Sequence, residues 1–255
     1  MYLTIDTGNS NIVNIVYDKA GSIVYKERLI SVRKKDRKYY EEAYSLLKAK
    51  LDCKIEIIAL SSVVPAITGL LVEVLEKVFK CKVINVTTKT VDLRVDLENP
   101  EELGADFVAG AVAVLARYKQ PTIIIDMGTA SKISVVDEPN HFLGGIIQPG
   151  IRDMANILHQ NIPQLPNIEL AVPEKVLGSN TMESIQSGIM YGSFLSLIAL
   201  AKEIEKEIGK ESKILLTGGY INLYKDLRGY EFNPDLVNEG LLEIAIKETK
   251  NGSKK

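Results

Sequence analysis

Tyr2-Leu3-Thr4-Ile5-Asp6-Thr7-Gly8-Asn9-Ser10-Asn11 opens the chain, and its pattern returns as Thr122-Ile123-Ile124-Ile125-Asp126-Met127-Gly128-Thr129-Ala130-Ser131. In each copy a β-favouring apolar run ends on an aspartate, and a glycine follows two residues later. A β-favouring stretch then returns, Ile12 to Tyr17 in the first copy and Ile133 to Val136 in the second. At roughly 150 residues per domain, a 255-residue chain is one large domain or two small ones. The repeat decides for two related halves, expected over 1–117 and 118–255.

Outward from the first copy, Ile23 to Leu29 reads as a third strand and Tyr39 to Leu51 carries a helical pattern. Ile55 to Leu60 is the short continuous apolar run of a buried strand. After Ser61-Ser62-Val63-Val64-Pro65 a helix is expected from about Ile67 to Phe79, then a strand from Val83 to Val86. This β-β-β-α-β-α-β order predicts a mixed α/β sheet. Asn99-Pro100-Glu101-Glu102 carries helix-start chemistry, with Asn as N-cap, Pro at N1 and Glu at N3. Beyond Gly104 an alanine-rich helix runs through Tyr118, with Ala105, Ala109, Ala111, Ala113 and Ala116 small enough for another helix to approach closely.

Outward from the second copy, Gly144 to Gly150 closes a strand into a loop. Residues 178–208 read as helical, with Gly188 and Gly192 at the i,i+4 spacing of a close helix contact. Lys213 to Thr217 is a last strong strand, followed by Gly218-Gly219. Asn251 to Lys255 reads as a solvated tail.

Composition narrows the function classes. The 31 Lys and Arg against 33 Asp and Glu leave a formal charge of −2, against the basic balance of a dedicated nucleic-acid binder. The run Arg33 to Lys38 is too short for such a patch and reads as a solvated loop. Two cysteines, Cys53 and Cys81, exclude a disulfide scaffold and read as small apolar groups. His141 and His159 are too few for an imidazole-rich metal site and read as surface or loop residues. Met1 to Asp6 lacks the basic and apolar regions of a secretory signal, and no apolar run reaches the ~18–20 residues of a membrane span. A cytoplasmic protein without nucleic-acid or membrane partners is expected.

Three glycine-bearing strand exits carry the chemistry: Asp6 to Ser10, Asp126 to Ala130, and Thr217-Gly218-Gly219. Glycine lets backbone N–H groups approach an anion with no Cβ in the way. A carboxylate just before such a turn can hold Mg²⁺ or its water shell. Two such turns facing each other can clamp a triphosphate. No Walker-type or dinucleotide-binding fingerprint, nucleophile elbow or H-E-x-x-H motif competes with this reading.

The paired turns and the late Thr-Gly-Gly resemble the phosphate and adenosine motifs of the actin-like and sugar-kinase superfamily. More narrowly, the chain resembles the type III pantothenate kinases from end to end. The stretches that carry the likeness include Ile5 to Asn11, Ser61 to Pro65, Asn99-Pro100, Gly104-Ala105-Asp106 and Asp126 to Ala130. They continue with Gly144-Gly145 to Gly150, Leu165-Pro166, Asn180-Thr181, Gln186-Ser187-Gly188 and Thr217 to Gly219. The resemblance implies two RNase H-like (actin-like ATPase) α/β domains with a nucleotide cleft between them. It implies ATP-dependent phosphorylation of pantothenate to 4'-phosphopantothenate, the first step towards coenzyme A, by a homodimer. Asp6, Thr7, Gly8, Asn9, Ser10, Asn11, Gly128, Thr129, Gly218 and Gly219 would contact ATP. Asp6 would hold Mg²⁺ through water, and Asp126 a monovalent cation, K⁺ or NH₄⁺. Asp106 would be the catalytic base, and Gly104, Ala105, Asp106, Phe107 and Thr181 would line the acceptor site. Phosphoryl transfer suits these types, since it rests on positioning, charge stabilisation and one carboxylate to take the acceptor's proton.

The chain departs from the family pattern in places. Phe107 stands where the pattern has an arginine that helps hold the pantothenate end, and Leu97 stands for a tyrosine. Both make the acceptor pocket more apolar, which raises two further readings: a same-fold kinase for another hydroxyl compound, or a nucleotide-binding paralogue with weak turnover. In the second turn Ser131, Lys132 and Ser134 stand where two threonines and later an aspartate are usual. The Lys132 ammonium either takes over from the monovalent cation or points to solvent.

Overall fold

A computed structural model of the chain describes residues 1–32 and 36–252. Its first elements are β1 (Tyr2–Thr7), β2 (Asn11–Tyr17), β3 (Ile23–Ile30), α1 (Arg37–Lys50), β4 (Ile57–Ser62), α2 (Pro65–Phe79) and β5 (Lys82–Asn85). Next come β6 (Arg94–Val95), α3 (Ala105–Arg117), β7 (Thr122–Met127), β8 (Ala130–Asp137), β9 (His141–Pro149) and α4 (Ile151–Asn161). The chain continues through α5 (Thr181–Ile208), β10 (Lys213–Thr217), β11 (Glu231–Phe232) and α6 (Leu236–Gly252). These group into two compact units, Met1–Tyr118 with Asp235–Lys255, and Lys119–Pro234.

The two units repeat one topology. Sheet order in the first is β3-β2-β1-β4-β5, and in the second β9-β8-β7-β10-β11. In each, the leading strand pairs antiparallel with the next strand and parallel with one that follows a helical crossover. β1 and β7 share one burial pattern: every residue is buried except the aspartate in fifth place. The sequence repeat is therefore a structural repeat.

Alternation along β1 sorts its side chains between two faces. Leu3 and Ile5 join Tyr40, Tyr44 and Leu47 of α1 and Ile67, Leu71 and Leu75 of α2 in one core. Thr4 and Asp6 point to the other face, which α6 covers, with α3 packed beside it against β4 and α6. Thr4 Oγ1 donates to Asn238 Oδ1 at 2.8 Å, with both side chains buried. The alanine-rich helix finds its close neighbour in α6. At Gly240 a Cβ would lie 1.8 Å from the Ala109 carbonyl oxygen, so only glycine lets the two backbones approach this far. At the end of α3, Arg117 pairs with Glu239 at 3.1 Å and Glu243 at 3.0 Å.

Several expectations change. The segment from Asp235, which the repeat places in the second half, packs with the first. Leu236, Leu241, Leu242, Ile244 and Ala245 are buried there, adding apolar cover on that face beside α3. The expected tail begins as helix, since α6 extends to Gly252, while Ser253 to Lys255 lie outside the described residues. Of the basic run, Arg33 to Lys35 also lie outside them; Asp36 caps α1 by accepting from the Tyr39 amide, and Arg37 and Lys38 are helical. The signal at Asn99 opens only a 3-10 turn over Pro100–Glu102, which Leu103 ends in extended geometry.

In the second unit Gly188 and Gly192 make no close helix contact, because a Cβ on either would meet nothing within 4 Å among the described residues. α5 is long and apolar enough, by length and composition, to cross a membrane. Its Ile189, Met190, Phe194, Leu197 and Ala201 are spent on the core of its own unit. His159 sits in α4 rather than a loop, with Nδ1 2.9 Å from the Leu165 carbonyl. Cys53 and Cys81 are free thiols packed against the first core.

Removing the Thr4 hydroxyl while keeping its shape tests the joint between β1 and α6. Thr4→Val leaves the buried Asn238 amide without that donor and should cost about 1–3 kcal/mol in urea unfolding. The double variant Thr4→Val, Asn238→Leu should recover part of the loss, and equal stability of wild type and Thr4→Val would contradict the joint.

Candidate functional site

In the first unit the turn after β1 is a tight hairpin. The Gly8 amide donates to the Asn11 carbonyl at 2.9 Å, and the Ser10 carbonyl accepts from the Ser31 amide at 3.1 Å. Gly8 thus spends its N–H on closing the turn. Asn9, Ser10 and Asn11 are exposed around it. Thr7 is fully buried and, by alternation, on the Leu3 and Ile5 face, so its side chain is turned away from Asp6. Asp6 pairs in register with Ser61 on β4, on the face that α6 and α3 share. The Ser61 hydroxyl there is buried with no hydrogen-bond partner among the described residues.

Asp106 occupies the first turn of α3, after Gly104 at the N-cap. The N-cap Gly104 has no side chain to cap the helix, and the first N–H groups and the dipole favour negative charge there. Asp106 Oδ1 accepts from the Phe107 amide at 2.9 Å, which fixes the carboxylate's orientation. A Cβ at position 104 would come within 2.7 Å of that oxygen, and Val63, just after β4, flanks the same spot. Ala105 is buried and Phe107 partly buried. Asp6, Ser61 and Asp106 therefore share one side of the first sheet.

The second unit gathers two strand exits, those of β7 and β10, and the start of β8. Asp126 on β7 faces Thr217 on β10 in parallel register and Lys132 on β8 in antiparallel register. Lys132 Nζ sits 2.9 Å from Asp126 Oδ2, with the side chains only 16% and 21% exposed. Of the two readings open for Lys132, solvent exposure is thereby excluded. The other carboxylate oxygen looks onto the glycines. A Cβ would lie 2.4 Å from Oδ1 at Gly218 and 3.3 Å from it at Gly128. Gly218 has φ +96°, in the region that favours glycine, and its α-carbon packs on the Met127 backbone. Gly219 follows, exposed, at the start of a 3-10 turn.

As at Gly8, the Gly128 amide closes its own turn by donating to the Ala130 carbonyl at 3.2 Å. Thr129 is exposed at the tip. Sequence reasoning left one neighbour unassigned. Gly150 is the N-cap of α4, and it packs so tightly on Thr129 that a Cβ would lie 2.0 Å from the Thr129 carbonyl oxygen. The start of α4 is thus held against the second turn. A glycine directly before the helical 151–161 segment was the available signal.

Thr181 begins α5, exposed, behind an Asn180 cap whose Oδ1 accepts from the Glu183 amide at 2.9 Å. Hydrogen bonds from the Ser179 amide and hydroxyl hold the Glu183 carboxyl below its ordinary range. The structure places Asp126, Gly128, Gly218 and Lys132 together, whereas Thr181 stands on a separate helix start. Among the described residues no group of three or more His, Cys, Asp or Glu could hold a metal ion. A divalent cation fits here as one bound mainly by phosphate oxygens and water, with one protein carboxylate such as Asp6 in its outer shell. A monovalent cation on Asp126 Oδ2 does not fit, because an ammonium already lies there.

Gly218→Ala should strain φ and press on Asp126 and Met127 together, at a cost of about 2–5 kcal/mol. Thermal unfolding reads this as a clear fall in Tm, and an unchanged Tm would show that the two exits pack less tightly than described.

The comparisons bear on this geometry. A family profile described as type III pantothenate kinase matches residues 2–203. A curated type III pantothenate kinase from Exiguobacterium sp. is 36% identical over 234 residues, covering 89% of this chain and 90% of its own length. Among solved structures, a Campylobacter jejuni protein assigned to the Baf family of transcriptional activators aligns with TM-score 0.61 at 22% identity, covering 98% of this chain and 99% of its own. A ROK family glucokinase from Streptomyces griseus, in complex with glucose and AMPPNP, aligns with TM-score 0.52 at 13% identity, covering 95% and 88%. At such identities the solved structures speak for the fold alone, the actin-like ATPase and sugar-kinase fold. The profile and the curated relative go further: the chain belongs to the type III pantothenate kinase family.

Proposed function

We infer that the chain transfers the terminal phosphoryl group of ATP to pantothenate, forming 4'-phosphopantothenate. One observation carries the reading: the family match runs through both aspartate-glycine turns and Asp106 together. The same match, with a relative 36% identical over most of the chain, disfavours another acceptor or a paralogue without turnover.

In this reading Asp106 is the catalytic base. Its Oδ1 is held by the Phe107 amide, and its Oδ2 takes the proton from the acceptor hydroxyl as that oxygen attacks the γ-phosphorus. The P–O bond to the β-phosphate breaks in the same displacement, and ADP leaves with the electron pair. Asn9, Ser10, Asn11 and Thr129 donate to phosphate oxygens, while Gly8, Gly128, Gly218 and Gly219 leave the ligand room. Gly104, Ala105, Phe107 and Thr181 shape the acceptor side. Asp6, with the unpartnered Ser61 hydroxyl beside it, would orient the water shell of Mg²⁺, which when bound supplies positive charge to the phosphates. A homodimer and a cytoplasmic setting belong to the same proposal.

Asp106→Asn keeps the shape and removes the base. ADP release with pantothenate should fall by about 100-fold or more, with ATP affinity little changed; turnover close to wild type would refute the assignment. Phe107→Arg restores a charged donor at the acceptor end. It should lower KM for pantothenate by about tenfold, the size of one hydrogen bond to a charged group, and an unchanged KM would separate Phe107 from the acceptor.

A further inference from the structure

We propose that the Lys132 ammonium is this kinase's built-in monovalent cation: it holds Asp126 in place at the glycine exits, so nucleotide binding needs no K⁺ or NH₄⁺ from solution. The proposal rests on the reading of the chain as an ATP-dependent kinase.

Three observations support it. Asp126 and Lys132 are directly opposed across β7 and β8, so their side chains leave the sheet on one face, a short distance apart. Nζ reaches Oδ2 at 2.9 Å with both side chains mostly enclosed, which is a fixed pair and not a surface lysine passing by. Oδ1 of the same carboxylate lies against Gly218 and Gly128, so whatever neutralises Asp126 also sets the position of two phosphate-side glycines.

An ammonium is a compact point charge with three donors, close to a small monovalent ion in what it offers a carboxylate. A dissolved cation at Oδ2 would meet that like charge at contact distance, and the tether removes the entropy cost of capturing an ion. Lys132 is therefore a positioning residue that acts through Asp126. An aspartate left without its cation would repel incoming phosphates across the same turn.

The test measures ATP binding by calorimetry, with MgCl₂ present and about 0.1 M of either KCl or tetramethylammonium chloride at equal ionic strength, so that screening is constant. Tetramethylammonium is too bulky to replace an ammonium. Wild type should bind ATP equally in both salts, within about twofold. Lys132→Ala should lose about tenfold or more in affinity in tetramethylammonium, the scale of one charged hydrogen bond, and regain most of it in KCl or NH₄Cl. A merely structural lysine would show no such rescue. Wild-type affinity that itself depends on K⁺ overturns the proposal, as does a Lys132→Ala variant indifferent to the salt. Lys132→Gln serves if the alanine variant does not fold, and the wild-type comparison stands without either. Absence of ATP binding in every salt would overturn the kinase reading and this inference with it, whereas the other adverse outcomes overturn the inference alone.

Discussion

Each unit is organised by one strand hydrogen-bonded on both sides, antiparallel to one neighbour and parallel to the other. Such a strand is buried along its length, so its residues are apolar or, like Thr4, satisfied by a buried partner until it nears the edge of the sheet. The first position where the chain can place a carboxylate is its exit, and Asp6 and Asp126 stand there. A turn must follow at once for the antiparallel neighbour to return, which calls for glycine two residues on. The aspartate-glycine spacing is thus a consequence of strand pairing before it is a feature of phosphate chemistry. In the proposed function, phosphoryl transfer uses a corner that the sheet topology already requires.

That dependence explains what could be read from sequence and what could not. The two strand exits were legible because period-two burial and turn chemistry are local. So was the closeness promised by the small residues of α3, although not its partner. α6 comes from the other end of the chain, and its place beside α3 is set by Gly240 on the Ala109 carbonyl and by Asn238 on Thr4. Each is a contact across more than a hundred positions, with no signature in the local pattern. Gly188 and Gly192 make the opposite case, since their spacing suggested a close helix and they face open space. The Asn99 signal has the residue types of a cap, but the Asn99 side chain makes no capping hydrogen bond, and Leu103 turns inward in extended geometry and stops the helix after one turn.

Within the site, residue types were legible and hydrogen-bond allocation was not. By residue type, Gly8 and Gly128 are expected to present N–H groups to phosphate. The structure commits both amides to closing their turns. In the proposed site the glycines then matter for the volume they leave empty, and the polar neighbours for their donors. Thr7 follows the same logic: strand alternation sends its side chain to the core, whatever its residue type suggests.

The near-neutral composition acquires a sharper meaning in this setting. A site for a polyanion inside a chain of net charge −2 cannot draw on a general positive field, so charge must be placed one group at a time. Asp106 is confined to a helix start, where the dipole tolerates it, and Asp126 is answered by Lys132 directly across the sheet. A strand pair is well suited to that second task, because register fixes the two side chains opposite one another without any loop having to close. The lysine needs only the hydrogen-bond ladder that holds β7 to β8, and the ladder is the same one that carries Asp126 to its exit.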